Sequence, residues 1–178
     1  SLPGHIYFVM PGQVDVQVPW EFQGLGSVSM KVSVGETQSA VYTVPLNDYS
    51  PATFLISDTK GGEVIAALDR TNRIVSSANP ALRGQAISLY VNGLGPVDHT
   101  PASGDPTPPP QPFVQTRLRP RVTVDGVDAQ VTFSGLAPYN VGLYQINIVI
   151  PAQATAGLRP VVITINGIDS QSVNLPVQ

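Results

Sequence analysis

The 178-residue sequence predicts an all-β fold, a sandwich of short antiparallel strands, and three observations predict it. Apolar and polar residues alternate with a period of two along most of the chain, as they do in strands with one buried face. Asp125-Gly126 and Asn166-Gly167, two dipeptides that favour tight hairpins because both central residues of a type I′ turn need positive φ, sit between alternating runs. The 18 prolines and 16 glycines interrupt nearly every stretch of eleven residues, so no window forms a convincing amphipathic helix.

In chain order, Val14, Val16 and Val18 alternate with Asp15 and Gln17 as one half-buried strand. Val28, Met30, Val32 and Val34 alternate with Ser29, Lys31 and Ser33, and Ala40 to Val44 returns after the Gly35-Glu36 turn, which reads as a hairpin. Thr53 to Ser57, Glu63 to Leu68 and Ala86 to Val91 are further strand-like segments. Asp98 to Pro112, dense in proline, can neither continue a ladder nor coil into a helix, so an extended surface loop with polyproline II character is expected. Arg121 to Val124 then meets Val127 to Phe133 across Asp125-Gly126, and Val161 to Ile165 meets Ile168 to Leu175 across Asn166-Gly167. The expected core holds Tyr7, Val16, Leu89, Phe133, Tyr139, Leu143, Ile148 and Ile163.

Composition excludes several partners. A net charge of −3 with no block of Lys or Arg offers no electrostatic footprint for nucleic acid. No apolar run is long enough for a membrane helix, and the opening SLPGHIYF lacks the basic stretch and apolar core of a signal peptide. Zero cysteine removes disulfides, thiolate nucleophiles and Cys-based zinc sites, which leaves stability to packing. Charged residues, at 12%, run at about half the usual share, a habit that suits an exported protein wetted by uncharged polar groups.

The chain also matches itself 132 residues apart without a gap. Tyr7, Val9, Gln13, Val14, Asp15, Val16, Val18 and Pro19 align with Tyr139, Val141, Gln145, Ile146, Asn147, Ile148, Ile150 and Pro151. Further on the polar alternation drifts, while Gly35 and Val41 still fall on Gly167 and Val173. A second unit beginning near Asn79 would have its counterpart begin before Ser1. Residues 1–48 therefore read as the C-terminal half of a first unit, 49–78 as a connecting segment with a β-hairpin, and 79–178 as a complete second unit. A half sandwich leaves a strand edge and an apolar face uncovered, so a chain cut from a longer protein, with edge pairing between copies through 1–48, is expected.

PGQVDVQVP (11–19), SSANPALRGQAISLYVNGLGPV (76–97) and FSGLAPYNVGLYQINIVIPAQATAG (133–157) closely resemble an uncharacterised C-terminal domain family abundant in Solibacter and other acidobacteria, found at the ends of large exported proteins. The resemblance covers nearly the whole chain and departs at Trp20, where the family usually has another aromatic residue. It implies an immunoglobulin-like or IPT/TIG-like β-sandwich in a secreted or cell-surface protein, and it carries over no catalytic residue.

Candidate chemistry is thin. Gln145 and Asn147, with Gln13 and Asp15 in the repeat, share a strand face that could bind a sugar, although a solvated face or backbone bonding at a sheet edge is the favoured reading. Asp69, Thr71 and Asn72 put oxygen ligands in one turn, yet their spacing matches no EF-hand loop, and an Asx-type turn explains them better. Asp98, His99 and Asp105 crowd the proline loop without zinc-site spacing. The two histidines, the absent G-x-S-x-G elbow and the scattered glutamates argue against a hydrolase, and the hairpin turn accounts for Asp125 beside Asp128. Trp20, Phe22, Tyr7 and Phe8 could form a sugar-stacking platform; core or inter-unit packing is favoured. The reading is of a noncatalytic extracellular spacer, anchor or adhesion module that binds no cofactor. Its partners would be other domains of the parent protein, and a cell-surface protein or polysaccharide. The rival is a carbohydrate-binding module accessory to an enzyme.

Overall fold

A computed structural model describes residues 2–109 and 112–178. Pro110 and Gln111, inside the expected proline loop, lie outside the described residues; the rest of that loop contains no named strand. Strands make up nearly all the regular structure, and no α-helix occurs among the described residues.

Residues 2–48 form three two-stranded pieces. β1 (His5–Met10) and β2 (Gln13–Gln17) make a hairpin around Pro11-Gly12, with Val9 opposite Val14 and Ile6 opposite Val16. β3 (Ser27–Met30) pairs with β6 (Tyr42–Pro45), while β4 (Ser33–Val34) and β5 (Thr37–Gln38) close the Gly35-Glu36 turn between them. The expected single hairpin from Ser27 is thus two short ladders, broken where Val32 and Ser39 bond instead of Lys31 continuing the strand.

Residues 49–178 build one curled antiparallel sheet with a side hairpin. β7 (Ala52–Thr53) is followed by β8 (Leu55–Ser57) and β9 (Glu63–Ile65), which pair with each other, and then by β10 (Ala67–Asp69). β7 and β10 both join β11 (Ala86–Asn92), so the 49–78 segment is stitched into the sheet of the residues that follow it. Across the Asp125-Gly126 turn, β12 (Arg121–Val124) meets β13 (Val127–Leu136), and both turn residues have positive φ, 57° and 74°. β14 (Tyr144–Val149) lies between β11 and β13. β15 (Gly157–Ile165) pairs with β12, with β16 (Ile168–Asp169) across Asn166-Gly167, and with β17 (Val173–Val177).

The curl originates in β13. Its first residues pair with β12 and the rest with β14, and the register shifts between Val131 and Phe133, the kind of irregularity that bends and twists a strand. Buried side chains from the β11–β14 half, including Ile87, Leu89, Ile146 and Ile148, thereby meet those from the β12–β15 half, including Val122, Val124, Ile163 and Ile165, in one core. Gly93, at φ 69°, is required where the chain at Ser50 crosses: a Cβ there would sit 1.9 Å from the Ser50 carbonyl oxygen.

Leu89, Ile148 and Ile163 are fully buried as expected, and Phe133 and Leu143 are half-buried. Tyr7, Val16 and Tyr139 correct the expectation: they are 67%, 43% and 71% exposed. Tyr139 occupies a turn at φ 65°, where its side chain leaves the sheet. Tyr7 and Val16 belong to a two-stranded hairpin, and among the described residues neither packs against the core cluster.

Two substitutions at repeat-related positions separate these environments. Ile148→Asp puts an unpaired charge in the core and is expected to lower stability by about 3 kcal/mol or more, whereas Val16→Asp should change it by less than about 0.5 kcal/mol, both read from urea unfolding.

Candidate functional site: the groove beside the β1–β2 hairpin

The hairpin is tied to the curled sheet at its base. After buried Pro19 the chain makes one turn of 3-10 helix, Trp20–Phe22, with the Phe22 N–H donating to the Pro19 carbonyl at 3.1 Å. This turn sends the Trp20 indole inward against the core, edge-on to Tyr144 with ring centroids 6.4 Å apart. Such an aromatic pair adds to the stabilisation that area burial gives. The Tyr144 hydroxyl donates to the Gly95 carbonyl at 2.5 Å, and burial, with Tyr49 adding to it, raises its pKa well above the usual phenol range. The Trp20 indole N–H is buried without an acceptor among the described residues, so the ring is held by shape and not by its polar handle.

Three polar contacts complete the tie. The Trp20 backbone N–H donates to the Ser103 hydroxyl at 2.9 Å, that hydroxyl donates to the Glu21 carboxylate at 2.6 Å, and the Gly104 N–H donates to the Gln17 side-chain oxygen at 2.6 Å. The Ser103 bond holds the Glu21 carboxyl below the usual carboxylate range. Serine, glutamate and the nearby His5 ring thus gather where hairpin meets proline loop. The serine proton goes to the carboxylate, so the group fastens two segments. Sequence reasoning missed it because the partners stand 82 and 83 residues apart with no motif to link them.

Above this base runs an open groove of about 1050 Å³. It is lined along the whole of β2 and by Phe54, Tyr90 and Asn92 of the curled sheet, where β7 joins β11. Trp20 and Phe22, candidates for a sugar platform, both line it, but Trp20 is half-buried on Tyr144 and does not present a free face.

The remaining candidates fall elsewhere. Gln145 and Asn147 lie on β14, where the Gln145 amide donates to the Asn147 side-chain oxygen at 2.8 Å and to the Ser88 hydroxyl at 3.4 Å, so they serve each other across one sheet face. Asp69 organises a turn. Its carboxylate accepts from the Asn79 amide at 3.0 Å, the Thr71 hydroxyl at 2.7 Å and the backbone N–H groups of Thr71 and Arg73, and pairs with the Arg73 guanidinium at 3.0 Å. Asn72 takes the left-handed position of the same turn at φ 60°. Asp125 caps Thr155 and Asp128 pairs with Arg121, which gives these two carboxylates separate structural partners. Among the described residues, no group of three or more His, Cys, Asp or Glu side chains comes together.

Two predictions come from these contacts. The Asn79 and Thr71 bonds depress the Asp69 pKa below its unfolded value of about 3.9, so its contribution is present above that pH and lost as pH falls through the folded pKa. Asp69→Asn should therefore flatten the fall of melting temperature below about pH 4. Trp20→Ala should cost about 2–3 kcal/mol in urea unfolding, and Trp20→Phe distinctly less, because phenylalanine keeps the edge contact and removes the unsatisfied N–H. No family model, curated protein or solved structure matches the chain.

Proposed function

We propose that the chain is a noncatalytic structural and interaction module of a larger exported or surface protein. In this reading residues 49–178 form an immunoglobulin-like sandwich, and residues 2–48 are a related unit that is completed by contact with another polypeptide. One observation carries it. Ile146, Ile148 and Ile150 of the second unit are fully buried, while their repeat partners Val14, Val16 and Val18 are 44%, 43% and 57% exposed. The same alternating pattern occurs twice, once with its apolar face covered and once without. An uncovered face of this kind is characteristic of interaction surfaces. The use of Ser103, Glu21, Asp69 and Asp125 as structural fasteners supports a role without chemistry.

The groove favours a second reading, carbohydrate binding, because Tyr7 and Phe54 line it and are 67% and 46% exposed. Rings of this kind can stack on sugars when their faces are free. Titrating the purified chain with a panel of oligosaccharides and polysaccharides separates the two. The module reading expects no saturable change in tryptophan fluorescence, and a saturable response abolished by Phe22→Ala would replace it with the carbohydrate-binding one.

A further inference from the structure

We propose that β2 is a receptor strand whose free edge takes an extended segment of a partner polypeptide, with apolar side chains at every second position and a hydrogen-bond donor facing Asp15. The inference rests on the module reading above and specifies what the module binds.

Among the described residues β2 pairs only with β1, in a sheet of two strands, so one of its edges carries backbone groups with no ladder partner. Its repeat counterpart β14 has both edges filled, by β11 and β13. The second unit therefore displays what the first lacks. Opposite Ile146 and Ile148 of β14, β11 sets Leu89 and Ile87, and opposite Asn147 it sets Ser88. Transferred to β2, an incoming strand would set apolar residues against Val14 and Val16 and a hydroxyl or cation against Asp15. Strand addition of this sort draws affinity from main-chain hydrogen bonds and specificity from alternate side chains.

Space and area agree with that occupant. The groove follows β2 along its five residues, about 17 Å at the rise of an extended chain, and is also lined by Phe54 and Tyr90. A folded monomer of this mass, 18.8 kDa, is expected to expose roughly 8,300 Å². This chain exposes 10323 Å². The excess of about 2,000 Å², summed over the whole chain, leaves room for the ~800 Å² that each partner buries in an interface of standard size. Charge argues against a second copy as the occupant: two β2 strands paired about Asp15, valine against valine, would place two carboxylates directly opposite each other.

The test uses the full chain and a fluorescent synthetic peptide with the sequence of β11, Ala86–Asn92, flanked by lysines for solubility. Saturable binding in fluorescence anisotropy is expected, weakened by roughly tenfold or more when the chain carries Val16→Asp and its melting temperature is unchanged. A peptide N-methylated on alternate residues, which cannot donate along one edge, should not bind. Absence of saturation up to millimolar peptide, or equal affinity for the Val16→Asp chain, would overturn the proposal. So would sedimentation showing that the chain alone dimerises and that Val16→Asp abolishes the dimer, since the occupant would then be a second copy. A null peptide titration beside a silent glycan panel removes the receptor strand alone; a saturable glycan response removes the module reading beneath it.

Discussion

The fold of residues 49–178 depends on one strand serving two neighbours. β13 is ten residues long, pairs with β12 at its start and with β14 along the rest, and shifts register between Val131 and Phe133. Without that irregularity the strands would extend as one open ribbon with an apolar side in water. With it, β11 and β14 turn to face β12 and β15, and Ile146, Ile148, Ile163 and Ile165 are all removed from solvent. Burial of large aliphatic side chains is worth about 1.5–3 kcal/mol each, so the bend decides whether this chain, which has no cysteine to cross-link it, folds at all.

Local features were legible in the sequence, and long-range ones were not. Asp125-Gly126 and Asn166-Gly167 encode their turns in two residues each, and the structure has all four at positive φ. Leu89, Ile148 and Ile163 alternate within runs whose neighbours also alternate, so their burial follows from the pattern. Val16 has the same pattern and a different fate, because alternation says which face of a strand is apolar and not whether anything lies on it. Tyr139 lies among apolar residues in the sequence, and the positive φ it takes after Pro138 is not visible in that pattern. At the candidate site, Trp20 and Phe22 were legible as an aromatic pair, whereas Ser103, Gly104 and Tyr144 reach them only through the tertiary fold.

The segments that match 132 residues apart differ sharply in context. β2 and β14 carry valine or isoleucine at matching places, and the turn glycines Gly35 and Gly167 both have positive φ. Residues 49–178 nevertheless have a core, while of the hydrophobic side chains described in residues 2–48 only Trp20 packs against it. Residues 2–48 thus keep their strands through local pairing and a few ties at one end. Two-stranded hairpins are marginal in water, so these ties hold the hairpin in place more than its own ladder does.

The proline loop that receives those ties lowers the entropy that docking of the hairpin must surrender. Pro101, Pro106, Pro108 and Pro109 restrict the backbone before folding begins, so Ser103 and Gly104 sit in a segment that has less conformational freedom to surrender. Docking of the hairpin onto it is correspondingly cheap in entropy, but Tyr144 and Gly95 must already be in position for Trp20 to find its place. The curled sheet is therefore the template and residues 2–48 the late arrival. During synthesis this means that residues 2–48, made before the strands of the curled sheet, wait unpacked until those strands follow.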